Sequence, residues 1–478
     1  MRGLVAVLAV AWAALLSPGH AVAGDFTQTE TKVTMSDGVR LAVSYFQPQG
    51  TPPAAGWPAA ILLHGLGMTR NRADFDNWTT NALAARFLAP AGYAVLTYDA
   101  RAHGESGGLF TLDGPRELAD LLELLTWLTG HPNVDAQHVG LEGASYGGGL
   151  VWKAAIEGLP VAAIAPVATW TDLREALAPQ EHMRAGVVLG FSQLLPRDRY
   201  GPEEAQLLAD AVAERNVPAI RAYLASRSTR SQLSSVSVPT FMLQGRRDFA
   251  FDADQAIAAY RLLNGPKRLY LGDFGHAPAT NPDAEFDYAA LEVRAWFDRF
   301  LKGIPNGIDK SPPVQIAPDP WGPPVSFKSL PKPRTLSFTF KGRSTLSAKG
   351  KIARTTAAIR HLETFGAPVV RVTWRNSGYT HLVAVLSAVT RDSREIVIAD
   401  GGASTINRGM QPQTLAIRLQ NEITSIPAGS RLRVTLGATS TLQDINNLVY
   451  LIPVPEGAAA RVSRITLTLP TLRKPVSG

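Results

Sequence analysis

Residues 143–147 read Gly-Ala-Ser-Tyr-Gly and fit the pattern G-x-S-x-G. In this pattern the serine sits on a tight turn between a strand and a helix, which exposes its hydroxyl for nucleophilic attack. The apolar stretch 138–143 before it is typical of a strand, and residues 149–158 after it are typical of a helix. A plain strand-to-helix turn is the alternative, but these flanking elements favour Ser145 as a nucleophile.

A serine nucleophile requires a base at neutral pH, and in α/β hydrolases an acid and then a histidine follow the serine along the chain. His276 comes directly after residues 268–274, which are predicted to form a late strand of the sheet. Its small neighbours Gly275 and Ala277 leave room around the ring. We therefore predict His276 as the base. His64 precedes the serine, and its position fits an oxyanion loop better than a base.

The acid is expected between the serine and the histidine, after the strand predicted at 239–245. Asp248 follows Gly245 by three residues and is the predicted acid. Its role would be to hold the imidazole in the correct tautomer and to stabilise the imidazolium. Asp252 is the alternative, and Asp254 is expected to cap the helix that follows.

The oxyanion site needs two donors that point at the charge developing on the substrate. The backbone N–H of Tyr146, directly after the nucleophile, is the first predicted donor. The backbone N–H of Leu66 is the second, in the loop after the third predicted strand. Gly65 and Gly67 flank it and would allow the backbone to approach the substrate.

These residues must be positioned by a sheet, and the N-terminal part of the chain alternates strand-like and helix-like segments. Such alternation predicts a mostly parallel α/β sheet. The first two strands are joined by Ser-Asp-Gly and are expected to form an antiparallel edge hairpin. A helix is predicted at 115–130, with Leu118, Leu121, Leu122, Leu125 and Leu128 on one face. The predicted strands are 31–35, 39–46, 59–65, 93–99, 138–143, 161–168, 239–245 and 268–274.

Four further regions complete the predicted organisation. Residues 24–305 are expected to form an α/β-hydrolase domain, interrupted at about 170–236 by a helical cap over the carboxyl ends of the strands. Residues 306–333 are rich in proline and glycine and are interpreted as a linker. Residues 334–478 contain short strands separated by turns and predict an all-β sandwich. Its two histidines, His361 and His381, have no evident partners, so the sandwich is expected to support the enzyme without chemistry of its own.

The stretches 98–108, 143–148, 245–251, 272–278 and 296–303 together resemble the X-prolyl dipeptidyl-peptidase and cocaine-esterase branch of the α/β hydrolases. The resemblance covers nearly all of the chain after residue 23 and is weaker in the β half, where residues 426–437 carry most of it. It implies a helical cap, a C-terminal jelly-roll-like domain, and the triad Ser145, Asp248 and His276. It also implies a structural role for Asp99, Arg101 and Gly104 in the loop after the fourth strand.

The predicted function is an exported serine hydrolase that acts through an acyl-enzyme on carboxylic esters. An X-Pro dipeptidyl-peptidase is the second hypothesis. The family often places a tyrosine hydroxyl in the oxyanion site, but residues 62–71 contain no tyrosine. Such a peptidase must also capture a free amine, for which Glu181 in the cap is the candidate. A non-catalytic binding protein, with the sandwich holding a polysaccharide or a partner, is the third hypothesis.

Composition and the first residues bear on location and partners. An apolar run at 4–16 follows Arg2, and Ala21-Val22-Ala23 matches a small-x-small cleavage site, which predicts a signal peptide over 1–23 and export to the periplasm or the outside. Thirteen apolar residues are too few for a membrane span, which needs about 20. The net charge is +7 and the chain has no cysteine. We expect no metal site, no cofactor and no nucleic-acid partner, and a small ester or short peptide as substrate.

Overall fold

The computed structural model describes residues 25–72, 78–405, 413–473 and 476. The predicted signal peptide therefore lies outside the described residues. Within the described part of the chain, none of the helices combines the length and the apolar character needed to cross a bilayer.

A ten-stranded mixed sheet organises the N-terminal two thirds of the chain, with its strands side by side in the order β1-β2-β4-β3-β5-β6-β7-β8-β9-β10. In the part of this order that runs from β4 to β9, every pair of adjacent strands is parallel. The edge strand β1 pairs antiparallel with β2. The predicted edge hairpin and parallel sheet are thus confirmed. The strands are β1 (Phe26–Thr34), β2 (Arg40–Pro48), β3 (Trp57–Leu63), β4 (Ala94–Tyr98), β5 (Val134–Ala144), β6 (Ala163–Val167), β7 (Thr240–Gly245), β8 (Lys267–Gly272), β9 (Val314–Ile316) and β10 (Val325–Phe327).

Helices cover both faces of this sheet, which explains why its inner strands are continuous apolar runs. Every residue of β4 and of β7 is buried. One face packs against α2, α3 and α8, and the other against α9. In α2 the predicted face is partly wrong, because Leu124 is buried whereas Leu122 is 44% exposed. These helices and a short first one are α1 (Thr80–Leu83), α2 (Pro115–Thr129), α3 (Tyr146–Ile156), α8 (Asp254–Leu262) and α9 (Asp283–Leu301).

A group of helices between β6 and β7 forms the cap. The chain leaves β6 at Val167 and returns to the sheet at Thr240. The helices are joined by short 3₁₀ turns, and the apolar residues Leu173, Leu177 and Phe191 of the cap face the carboxyl ends of the strands, beside Ser145. The cap helices are α4 (Leu173–Leu177), α5 (Ala185–Phe191), α6 (Pro202–Val212) and α7 (Val217–Ser226).

The C-terminal part of the chain is a sandwich of two four-stranded antiparallel sheets, in the orders β11-β20-β14-β17 and β12-β19-β15-β16. Apart from the small β13–β18 pair, each sheet takes strands from both ends of the segment, as in a jelly-roll-like sandwich. The fold class expected from the sequence is therefore confirmed. The strands are β11 (Arg334–Ser347), β12 (Ile352–Ala358), β13 (Leu362–Glu363), β14 (Val369–Ser377), β15 (His381–Val389), β16 (Glu395–Ser404), β17 (Gln413–Arg418), β18 (Ser425–Ile426), β19 (Arg431–Gly437) and β20 (Ala459–Thr471).

Two features of the C-terminal third differ from the sequence-based expectation. The proline-rich segment interpreted as a linker contributes β9 and β10 to the central sheet, where β9 lies parallel to β8. The strand β12 was not predicted, because Ile352 is its one buried residue and its sequence lacks an apolar run. Short or exposed strands of this kind are defined by pairing with a neighbour rather than by their own composition.

Candidate active site

The turn between β5 and α3 holds Ser145 in a strained backbone conformation, with φ 54° and ψ −115°. The Ser145 N–H donates to the Val167 carbonyl oxygen at 2.8 Å, which ties the turn to the neighbouring strand. A Cβ atom on Gly147 would lie 2.5 Å from the Leu63 carbonyl oxygen, and one on Gly143 would collide with the Gly147 carbonyl. Both positions therefore require glycine, as the G-x-S-x-G turn demands.

The structure brings Ser145, His276 and Asp248 together at the carboxyl edge of the sheet. The Ser145 Oγ lies 3.0 Å from His276 Nε2. On the other side of the ring, His276 Nδ1 lies 3.0 and 3.1 Å from the two carboxylate oxygens of Asp248. In this arrangement Nδ1–H donates to the carboxylate, which leaves Nε2 to accept a proton from the serine hydroxyl.

The loop after β7 presents the Asp248 carboxylate from a fully buried position. Its Oδ1 accepts the backbone N–H groups of Ala250 at 2.9 Å and Phe251 at 3.0 Å. Its Oδ2 accepts the backbone N–H of His276 at 3.2 Å. Gly275 has φ 120°, and a Cβ there would lie 2.6 Å from this Oδ2, so glycine is needed for the approach of the two loops.

The two other acidic residues of this segment face the sandwich. Asp252 is buried and its Oδ2 accepts the Asn421 N–H at 2.8 Å. Burial and the adjacent charge of Asp254 raise the pKa of Asp252 to about 6. Asp254 begins α8, but its side chain does not cap that helix as expected and binds Asn421 and Arg418 instead.

The two predicted oxyanion donors line the same cavity as Ser145 and His276. Within the described chain, neither the Leu66 N–H nor the Tyr146 N–H donates a hydrogen bond. Tyr146 is the first residue of α3, where the N–H groups have no partner inside the helix. Both donors are therefore available to a substrate oxygen.

His64 supports this loop and is not placed to act as a base. Its Nδ1 donates to the Gly65 carbonyl at 2.7 Å, and its Nε2 accepts the Ala100 N–H at 2.9 Å. Burial lowers the pKa of His64 to about 4, so the ring is neutral. The His64 ring thereby links the loop before Leu66 to the loop after β4.

The loop after β4 has the structural role that the resemblance implies. Asp99 accepts the backbone N–H of Arg70 at 2.8 Å and that of Glu105 at 2.9 Å. Arg101 forms a bidentate pair with Asp120, with both distances at 2.7 Å. Gly104 has φ 47° and closes tightly on Asp99. These contacts hold the loop after β4, to which His64 is hydrogen-bonded through Ala100.

A cavity of about 380 Å³ opens above Ser145 and is covered by the cap. Most of its lining is apolar, and Arg72 carries the one permanent charge among the described lining residues. The Arg72 Nη2 donates to the Gly67 carbonyl at 2.5 Å. Glu181, the candidate for amine capture, is exposed on a 3₁₀ turn and does not line this cavity. The lining residues are Gly65, Leu66, Gly67, Met68, Arg72, Leu112, Ser145, Tyr146, Trp170, Leu173, Leu177, Phe191, Gln193, Leu194, Phe251 and His276.

A second cavity, of about 480 Å³, lies on the other side of Ser145 and His276, between the sheet and α9. Its lining is largely apolar but includes Glu142, for which no hydrogen-bond partner is found among the described residues. Burial raises the pKa of Glu142 to about 7. Sequence reasoning missed this residue, although its place three positions before the nucleophile puts its side chain on the α9 face of β5.

Two buried histidines and a half-buried glutamate that sequence reasoning left apart meet between the cap and the sandwich. The His182 and His381 rings stack at 4.0 Å, and His182 Nδ1 lies 2.5 Å from Glu214 Oε1. His381 Nε2 lies 3.0 Å from the carbonyls of both Ala438 and Ile452, so this histidine has partners, contrary to the expectation. The three residues could offer ligand atoms within 4.8 Å of one another. Stacked rings direct their in-plane nitrogens side by side rather than toward one point, which favours a packing contact over a metal centre.

Comparison with known proteins relates this chain to hydrolases. The family model of the X-Pro dipeptidyl-peptidase (S15 family) matches residues 37–278, about half of the chain. The chain is 28% identical to a cocaine esterase from Rhodococcus sp. (strain MB1 Bresler) over 337 residues, which cover 59% of this chain and 56% of that protein. It is 22% identical to a putative Xaa-Pro dipeptidyl-peptidase from Bacillus anthracis over 384 residues, which cover 69% and 63%. The match thus spans less than two thirds of either relative.

The overall fold is also similar to a solved structure. A CocE/NonD family hydrolase from Staphylococcus aureus superposes with a TM-score of 0.72 and 14% identity, and the match covers 94% of each chain. At this identity the similarity concerns the fold. It extends over the sheet, the cap and the sandwich together, because nearly the whole of both chains is matched.

Proposed function

This chain belongs to the X-Pro dipeptidyl-peptidase (S15) family of hydrolases, and we propose that it is a serine esterase that uses Ser145, His276 and Asp248. The observation that carries the proposal is the unbroken series of contacts from Ser145 Oγ through the His276 ring to the Asp248 carboxylate, at 3.0 Å on each side of the ring. A serine hydroxyl is a weak nucleophile, so it needs a base within hydrogen-bond reach and a third group that orients the base.

The proposed reaction proceeds in two halves. Ser145 Oγ attacks the ester carbonyl carbon while its proton passes to His276 Nε2, and the Asp248 carboxylate stabilises the resulting imidazolium. The oxyanion of the tetrahedral intermediate is held by the N–H groups of Leu66 and Tyr146. His276 then protonates the departing alkoxide, which leaves an acyl-enzyme. A water molecule, activated by His276, attacks the acyl carbonyl and releases the acid and free Ser145.

The charge of the cavity supports esters over X-Pro peptides. A dipeptidyl-peptidase must hold the ammonium group of its substrate, for which a carboxylate is the suitable partner. The cavity above Ser145 instead contains Arg72, and among its described lining residues no carboxylate occurs. The oxyanion loop also offers backbone donors without a tyrosine hydroxyl. A neutral or anionic ester fits this environment better than a peptide amine does.

The test combines active-site labelling with a substrate comparison. We expect a fluorophosphonate probe to label the wild-type protein at Ser145 and to leave Ser145→Ala unlabelled. We also expect nitrophenyl acetate and butyrate to be cleaved, with Ser145→Ala slower by about 10⁴-fold or more because triad members act as a unit. Near-normal hydrolysis by purified Ser145→Ala would contradict the triad.

An X-Pro nitroanilide decides between esterase and peptidase, because activated esters are intrinsically easy to cleave. We expect kcat/KM for this amide to remain below about 10⁴ M⁻¹s⁻¹, the lower end of the usual enzyme range. A higher value would make the protein a peptidase. A protein that neither reacts with the probe nor cleaves any of these substrates would be a binding protein instead.

A further inference from the structure

The loop that carries Asp248 is held by a segment of the C-terminal sandwich. We call residues 246–254 the acid loop and residues 418–424 the clamp segment. The Ile423 N–H donates to the Arg246 carbonyl at 2.7 Å, and the Arg246 Nε donates to the Ile423 carbonyl at 2.9 Å. At the far end of the acid loop, the Ala253 N–H donates to the Asn421 carbonyl at 3.2 Å. Gln420 Nε2 donates to the Phe249 carbonyl at 3.0 Å.

Glu422 lies at the centre of the clamp segment and contacts the predicted acid itself. Its Oε2 accepts the backbone N–H of Asp248 at 2.9 Å. Glu422 is 7% exposed. Burial, together with the negative charges of Asp252 and Asp248, raises its pKa well above the ordinary value, against a smaller opposing effect of Arg184.

The cap holds the same loop from the opposite side. The Arg184 guanidinium, which is 1% exposed, donates to the carbonyls of Phe249 and Ala250. It also donates to the Ala176 carbonyl of the cap at 2.7 Å. The charged and titratable groups that face Glu422 are thus Asp248 and Asp252 from the acid loop and Arg184 from the cap.

We propose that Glu422 is a positioning residue of the catalytic acid: by accepting the Asp248 N–H, it sets where the Asp248 carboxylate meets His276 Nδ1. This inference rests on the proposed function of the triad. The carboxylate is already bound by N–H groups of its own loop, at Ala250 and Phe251. These bonds fix its orientation within the loop, so the position of the loop relative to His276 depends on contacts from outside it. Glu422 provides such a contact at Asp248 itself.

The test compares Glu422→Ala with the conservative Glu422→Gln. The alanine variant loses the acceptor for the Asp248 N–H, and we expect kcat per labelled active site on nitrophenyl butyrate to fall about 10- to 100-fold with little change in KM, since a small misplacement of catalytic groups costs up to about 10²-fold. The looser carboxylate stabilises the imidazolium less, so the acid limb of the pH–rate profile should move to lower pH by about 0.5 to 1 unit. The glutamine amide oxygen can accept the same N–H, and we expect Glu422→Gln to restore both readouts.

Glu395→Ala is the matched control, because it removes a sandwich carboxylate that binds Arg433 and Ser387 away from the acid loop. It should leave kcat and the acid limb unchanged. A wild-type kcat and acid limb in Glu422→Ala, or an equal loss in Glu422→Gln, would overturn the proposal. If the alanine variant does not fold, Glu422→Asp replaces it, since the shorter side chain cannot reach the same N–H and should show the same shifts. A failure of the triad itself is distinguishable, because Ser145→Ala would then retain activity.

Discussion

At the scale of single residues, the two candidate acids of one short segment have opposite environments. Asp248 faces the His276 ring and is surrounded by backbone N–H donors. Asp252, four positions later, turns to the sandwich and accepts the Asn421 N–H. Burial without a cation in hydrogen-bond contact raises the pKa of Asp252. Residue type and spacing alone could rank these two aspartates as candidate acids. The directions in which their side chains point show which of them contacts His276.

The first prediction concerns this pair. Asp248→Asn should lower kcat by about 10⁴-fold, because an amide in this position favours the wrong imidazole tautomer. Asp252→Asn should change kcat by less than about 10-fold, since its partner is a backbone N–H of the sandwich and an amide oxygen can accept it equally well. Both variants are to be measured on nitrophenyl butyrate at the pH optimum. The reverse ranking would assign the acid to Asp252.

The second prediction uses Glu142, whose carboxyl group lines the cavity behind the nucleophile. Its folded-state pKa of about 7 lies above the ordinary value of 4.5. The folded state therefore binds this proton more tightly, and the associated stability is lost as pH rises from about 4.5 through 7. Glu142→Gln should match the wild type at pH 4 in the free energy of unfolding and exceed it at pH 8 by on the order of 3 kcal/mol.

Urea unfolding at the two pH values measures this difference. Glu123→Gln provides a control of opposite sign, because hydrogen bonds from Arg116 and Ser36 lower the pKa of this partly exposed carboxylate, so that its removal should cost stability at pH 8 rather than add it. If Glu142→Gln changed the free energy of unfolding equally at both pH values, the pKa of Glu142 would not be raised in the folded state, and the prediction would be wrong.

At the scale of elements, the cap and the sandwich meet through stacked aromatic rings. The His182 ring, between the 3₁₀ turn and α5 of the cap, stacks with His381 of β15 and with Tyr450. His381 is 3% exposed, and burial first, then the neighbouring His182, lower its pKa to about 4. The contact thus joins two elements through the ring of His381, whose lowered pKa makes the contact sensitive to acid.

The third prediction follows from this contact. The unfolded state binds a proton at His381 with a pKa near 6.5, whereas the folded state does so near 4. The contribution of His381 to the free energy of unfolding is therefore fully present above about pH 6.5 and decreases as pH falls toward 4. Between pH 7 and 4.5 the free energy of unfolding of the wild type, measured by urea unfolding, should fall by about 2 kcal/mol more than that of His381→Gln. The exposed His361 of the same domain serves as control, and His361→Gln should follow the wild type.

At the scale of the whole molecule, the sandwich contributes to the core of the hydrolase part. Phe365, Ile423 and Leu472 of the sandwich are buried in the same apolar cluster as the strands and cap helices. An ion pair between Arg246 and Glu363, both fully buried, crosses the same interface. Such an interface resembles the interior of one domain more than the contact between two independent modules.

The fourth prediction is that a chain ending at Pro333, which keeps β9 and β10 but lacks the sandwich, aggregates or unfolds at lower temperature than the full chain. The loss exposes apolar partners of three buried side chains, each worth about 1.5–3 kcal/mol, and removes the clamp segment from the acid loop. Size-exclusion chromatography, Tm and kcat/KM on nitrophenyl acetate and on a bulkier ester measure the effect. A stable, fully active shortened chain would make the sandwich an independent module.

The sequence by itself determined the architecture and the identity of the candidate site. Continuous apolar runs could be read as buried parallel strands, because a sheet covered on both faces has no polar side. The glycines around Ser145, and the order of serine, aspartate and histidine along the chain, pointed to one catalytic edge of the sheet, since parallel strands place their carboxyl ends together. These are local or periodic features, so they can be recognised in the sequence itself.

Only the tertiary structure decided which distant groups meet. The contact of Glu422 with Asp248 joins residues 174 positions apart, and that of His182 with His381 joins the cap to the sandwich. The exposed strand β12 and the proline-rich β9 exist because a neighbouring strand offers hydrogen bonds, which composition does not reveal. Whether a carboxyl group is paired, or a histidine neutral, depends on burial by elements far away in the chain, and so it emerged only when those elements packed.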